Sequence, residues 1–216
     1  MEEPGELYIP YLDIYHSREY MELQWPREGA GVKGIPLFAF VYHEYLMGYG
    51  GDSAPIIKKG TDPIIGIYAQ AMNLSTGKQP GAANWMQMIP FTDIAPEQQA
   101  FIKAQSKLLY SRAQEYLFFG QMQAISSITT EPLQIKTQFQ RFAINFKTDA
   151  ILHNVYRNTT GKYGVLLVNM QNSTAPIKWN TFFLHKKIIW TSLSTQLKSL
   201  PDTLAPYQII FIEFSN

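Results

Sequence analysis

The chain has no cysteine, so disulfides and thiolate metal sites are both excluded. Its four histidines, His16, His43, His153 and His185, are scattered and show no ligand spacing, so neither a metal nor a cofactor is expected. No block of basic residues occurs, and 18 basic against 17 acidic residues leave a net charge of +1, which argues against a nucleic-acid partner. No run approaches the roughly 18 apolar residues that would span a bilayer, so no membrane partner is expected. The acidic opening MEEPGELY lacks the charged-then-apolar pattern of a signal peptide.

What the chain does hold is apolar and aromatic. Of 216 residues, 46% are hydrophobic and 14% aromatic, with 13 Tyr, 13 Phe and 4 Trp. That is too apolar for a disordered chain and enough for a substantial core. Aromatic rings also stack on sugar faces, although most such residues simply fill cores.

The organising stretch is Ile35 to Asp52, IPLFAFVYHEYLMGYGGD. Its apolar run, Pro36 to Val41, reads as a strand buried on both faces. The run turns polar at Tyr42-His43-Glu44 and ends in a glycine group, Gly48, Gly50 and Gly51. A buried strand ending in ionisable residues and a glycine loop is how a parallel α/β sheet presents a site. Asp62-Pro63 starts a helix running to about Met72, since Asp caps and Pro fits the first turn. Asn73 to Gly81 reads as a short strand, the last of a barrel. Pro96 to Phe119 is the clearest helix, with Phe101, Ala104, Leu108 and Leu109 at helical spacing and Gly120 just past its end. From Gln121 the pattern changes to seven short strand-like runs separated by turns such as Asn158-Thr-Thr-Gly161. The expected architecture is therefore α/β plus all-β. Residues 1–120 would hold the last two or three βα units of an incomplete (β/α)₈ (TIM) barrel, and 121–216 an antiparallel β-sandwich.

The motifs EEPGELYIPYLD, PLFAFVYHEY, LSTGKQPG and the PEQQAFIKAQSKLLYSRAQEYLFFG helix, taken in this order, resemble the C-terminal part of bacterial barrel glycoside hydrolases with an appended sandwich. The resemblance implies a site at the barrel mouth. Glycosidic hydrolysis usually takes two carboxyl groups, one protonating the leaving oxygen and one attacking or activating water. By resemblance Glu3 lies at the mouth as catalytic acid/base or substrate ligand. Glu44 ends the central strand and is the candidate second carboxylate, with Glu6 and Asp13 also acidic nearby. Tyr42, His43, Asp52, Lys78 and Gln79 are candidate substrate-binding residues, although Asp52 also suits a turn cap and Lys78 and Gln79 a solvated loop. His43 and Glu44 cannot both face inward on a regular strand.

A barrel needs eight strands, and this chain has room for two or three. It is therefore expected to be a hydrolase fragment acting on O-glycosidic bonds and inactive without earlier strands, either a gene fragment or one half of a protein completed by a second chain, its localisation open. The alternative is a non-catalytic carbohydrate-binding or interaction module presenting Tyr156, Trp179 or Trp190.

Overall fold

The computed structural model describes residues 6–12, 14–16, 37–49, 57–77, 90–139 and 142–215. A 3-10 turn at Glu6–Tyr11 precedes β1, Ile14–His16. Helix α1 is Leu37–Tyr42, and β2, Met47–Tyr49, pairs with β1 in parallel, Ile14 opposite Met47. Helix α2 is Ile64–Ser75, helix α3 Pro96–Leu109 and helix α4 Gln114–Leu117.

The sheet-forming half follows. It comprises β3 Gln121–Gln123, β4 Ile128–Thr129, β5 Pro132–Phe139, β6 Phe142–Asp149, β7 Ile151–Arg157 and β8 Tyr163–Asn169. It continues through β9 Ala175–Pro176, β10 Lys178–Trp179, helix α5 Thr181–Leu184, β11 Ile188–Thr191, β12 Thr203–Leu204 and β13 Ile209–Phe214.

The centre is a five-stranded antiparallel sheet in the order β11-β13-β8-β7-β3. Its middle strand β8, YGVLLVN, is buried from Gly164 onward, which is why it reads as a nearly continuous apolar run. Alternation sends Val165 and Leu167 to one face and Leu166 and Val168 to the other. The Leu166 face packs on α2, α3, α4 and the β5–β6 hairpin through Tyr68, Phe101, Leu108, Tyr116, Ile135 and Ile144. The Val165 face is covered by Ile128, Ala175, Trp179, Phe183 and Leu204, contributed by the short pairs β4–β10 and β9–β12 and by α5.

This arrangement overturns the expected (β/α)₈ portion. Among the described residues the sheets are antiparallel apart from the three-residue pair β1–β2, and strands and helices do not alternate as barrel units do. The helices expected to form a barrel's outer ring lie instead directly on the antiparallel sheet, and one apolar cluster takes side chains from Ile57 to Phe211. Opposite the helices, the sheet is covered by two short strand pairs and a helix rather than by a second sheet of matching size.

The central stretch is also corrected. Leu37–Val41 is helical, not a strand, with Ala39 fully buried while Phe40 and Val41 are exposed. A six-residue apolar run carries no period long enough to separate helix from strand, and this one settles as a helix with one buried side. The proposed strand from Asn73 fails for a related reason. Helix α2 continues through Asn73, Leu74 and Ser75 to a turn at Thr76-Gly77. Its sequence IIGIYAQAMNLS has little polar face, and from Ile65 on it is buried on all sides. Asp62 begins it as expected, its Oδ1 accepting from the Ile64 amide at 3.0 Å. The long helix expected over 96–119 is broken by turns at Tyr110–Ala113, giving α3 and α4.

Candidate functional site

The site is built where α1 meets the edge of the central sheet. After Tyr42 the chain turns, with the amides of Tyr45 and Leu46 both donating to the Tyr42 carbonyl. This turn places His43 inward and leaves Glu44 half-buried. His43 Nδ1 donates to the Gly120 carbonyl at 2.6 Å, and its ring lies 5.2 Å from that of Tyr156. A carbonyl only accepts, so the bond requires the hydrogen on Nδ1. One residue further along on both sides, Gln121 Nε2 donates to Glu44 Oε1 at 3.0 Å. Gln121 stands opposite Arg157 in the β3–β7 register.

Arg157 leads into the β7–β8 hairpin, a loop fixed by one side chain. Asn158 Oδ1 accepts from the Thr160 amide at 3.1 Å, the Thr160 hydroxyl at 2.9 Å and the Lys162 amide at 2.9 Å. Gly161 takes a φ of +84°, a left-handed conformation suited to glycine. Its carbonyl accepts from Arg157 Nε at 3.3 Å.

Together these elements enclose an open cavity of about 300 Å³ lined by Glu44, Phe119, Gln121, Arg157, Asn158, Thr159 and Gly161. Phe119 offers a ring that is 52% exposed. Glu44 and Arg157 share this cleft without an ion pair between them: Glu44 is held by Gln121 and Arg157 by the Gly161 carbonyl. The guanidinium Nη groups and the Asn158 amide nitrogen remain as donors, with the second Glu44 oxygen as acceptor. Such a set binds hydroxyls and small anionic groups.

Of the residues singled out from the sequence, Glu44 lines the cleft and His43 supports it from behind. Tyr42 ends α1, partly buried. Glu3, Asp52, Lys78 and Gln79 lie outside the described residues. Tyr156, Trp179 and Trp190 do not form an exposed sugar platform. Tyr156 is fully buried and its hydroxyl donates to the Ser75 carbonyl, Trp179 donates from Nε1 to Pro201 at 2.8 Å, and Trp190 packs beside Phe211. Sequence reasoning missed Phe119, Gln121, Arg157 and Asn158. Only Asn158 left a signal, as the first residue of a recognised turn.

A second polar cluster lies under the sheet. Glu213 on β13 is completely buried. Its Oε1 accepts from Arg112 Nη2 and from the Tyr116 hydroxyl, each at 2.9 Å. Arg112 Nε lies 2.8 Å from Oε2, outside hydrogen-bond alignment, and Lys162 Nζ is 3.8 Å from Oε1. Burial, followed by the bond to Glu213, holds the Tyr116 hydroxyl well above the ordinary tyrosine range. This cluster ties the α3–α4 turn and the β7–β8 hairpin to the sheet.

Among the described residues there is no group of three or more His, Asp or Glu that could hold a metal ion, and no helix long and apolar enough to cross a membrane. No protein-family model matches the chain, and no curated protein sequence matches it.

Proposed function

We propose that the chain is a non-catalytic carbohydrate-binding module, with the cleft between Glu44 and Arg157 as its carbohydrate contact. The observation that supports this reading is the make-up of the cleft. An exposed ring, Phe119, stands beside the Gln121 and Asn158 amides, a guanidinium and a carboxylate. Hydroxyl groups of a sugar are both donors and acceptors, and this lining offers both in one place. Glycosidic hydrolysis by the usual two-carboxylate route needs a second acid across the bond. Among the described residues Glu44 is the carboxylate that lines the cleft, and its Oε1 is already engaged by Gln121.

The test is a titration of the 216-residue protein with neutral and acidic oligosaccharides, followed by amide chemical shifts, alongside an assay with aryl glycosides. Shifts centred on Gln121, Arg157 and Asn158, weakened by Glu44→Gln, with no aryl glycoside turnover, are expected. Absence of any shift with every sugar would overturn the binding reading, and turnover would overturn the non-hydrolytic one.

A further inference from the structure

The strand register gathers positive charge at one end of the central sheet. Arg157 ends β7 opposite Tyr163, the first residue of β8, and Lys162 directly precedes Tyr163. Tyr163 pairs in turn with Phe214 near the end of β13, and Phe214 with Ile188 at the start of β11. Lys187 sits just before Ile188, its carbonyl accepting from the Ser215 amide at 2.9 Å. Neighbouring strands lie about 4.8 Å apart, so Arg157, Lys162 and Lys187 are strung across roughly 14 Å of strand ends. Lys186 reaches the same place: its Nζ is 4.8 Å from the ring centres of both Tyr163 and Phe182. Arg112 approaches from the helix side.

Among the described residues, the acidic groups facing this edge are few. Glu213 is buried and paired with Arg112 and, at 3.8 Å, with Lys162, Glu115 is exposed on α4, and Glu44 stands at the Arg157 end. In a chain whose net charge is only +1, this is a local concentration, and it runs continuously into the cleft through Arg157.

We infer that this end of the sheet binds an acidic polysaccharide, a glycan whose units carry carboxylates, laid along the row from Lys187 to Arg157 with one unit in the cleft. The inference rests on the sugar-binding reading of that cleft and adds the class of sugar. A guanidinium matches a carboxylate in two parallel hydrogen bonds, which suits Arg157 at the cleft mouth. Glu44 beside it accepts from hydroxyls, which every unit of an acidic sugar chain carries and a DNA backbone lacks, so the edge favours an acidic sugar over DNA.

The experiment measures binding of the full chain to polygalacturonate, to a neutral polysaccharide and to duplex DNA, at 50 and 200 mM salt. Polygalacturonate is expected to bind tightest and to weaken as salt rises. Lys186→Gln with Lys187→Gln is expected to lower its affinity roughly tenfold while leaving any neutral-glycan binding unchanged. Neither residue pairs with Glu213, whose partners are Arg112, Tyr116 and Lys162, and an unchanged melting temperature confirms that the variant folds. Equal binding of neutral and acidic polysaccharide, insensitive to the double substitution, would overturn the acidic class and leave sugar binding intact. DNA binding as tight as polygalacturonate would overturn the choice of glycan. Failure of every polysaccharide to bind would remove the sugar-binding reading itself, and this inference with it.

Discussion

His43 Nδ1 and the Gly120 carbonyl, 2.6 Å apart and buried, join the end of α1 to the start of β3. The next residue on each side, Glu44 and Gln121, forms a second link at the rim of the cleft. The inner bond therefore positions the outer one. His43→Ala removes the donor, leaves a buried carbonyl without its partner and empties ring volume against Tyr156. We expect a loss of about 2–4 kcal/mol in urea denaturation. The amide signals of Gln121 and Arg157 are expected to broaden or shift as Glu44 loses its fixed position. A fully stable His43→Ala protein would show that this bond does not hold α1 in place.

Gly77 closes α2 with a φ of +70°, and a Cβ placed there would sit 1.8 Å from the Leu117 carbonyl and 2.4 Å from His43 Nε2. Gly60 is equally left-handed at φ +86°, but nothing lies within 4 Å of its added Cβ. The two positions separate backbone strain from collision. Gly60→Ala should cost only the strain, about 1 kcal/mol. Gly77→Ala should cost at least about 2–4 kcal/mol, because the α2 and α4 ends must also part. Paired thermal denaturation checks this, and equal losses would mean that the α2–α4 contact yields freely.

The parts of this fold legible from sequence are those with a local cause. Asp62-Pro63 and Pro96 start helices because their chemistry suits a first turn, and β7, β8 and β13 announce themselves by β-branched and apolar runs between turn residues. Pro36–Val41 reads as a strand because six apolar residues in a row fit a buried strand as well as a helix, whereas Leu37–Tyr42 is helical. The barrel inference followed from that reading. The cleft was half legible: Glu44 and His43 stood out as polar residues after an apolar run. Their partners Gly120 and Gln121 lie 77 residues further on, and only the packed fold brings them together. Asn158 could be read as a turn residue, but not that its three hydrogen bonds shape one wall of a cavity.

Glu213 places a carboxylate in the core, where it would be costly without partners. Arg112 supplies two nitrogens within 3 Å, and Tyr116 a hydroxyl. Glu213→Gln keeps the shape but weakens the charge-assisted bonds, for an expected loss of about 1.5–3 kcal/mol. The larger cost of stranding a fully buried partner does not apply, since the Arg112 and Lys162 side chains are 44% and 36% exposed and can rehydrate. Denaturation at low and high salt should give nearly the same difference, because a partly buried pair is screened far less than one on the surface. A loss that disappears at high salt would instead mark the pair as a surface interaction.

Tyr116 gives the fold an alkaline limit. Its hydroxyl proton is held chiefly by burial and then by donation to Glu213, so ionisation in the folded state is displaced upward. Tyr207 is shifted the same way by burial, then by Asp62 and Glu97. In the unfolded chain both titrate near the ordinary value of about 10. Below that pH both states keep the proton, and the stabilisation is fully present. Above it the unfolded chain binds fewer protons than the folded one, so stability falls as pH rises. The parent protein should therefore lose stability steadily above about pH 10 in urea titrations. Tyr116→Phe should start lower, by about 1 kcal/mol for the missing hydrogen bond, and then decline less steeply. Every other residue is the same in both proteins, so the difference between the two curves isolates Tyr116. Parallel curves would mean that its proton is not retained by the folded state.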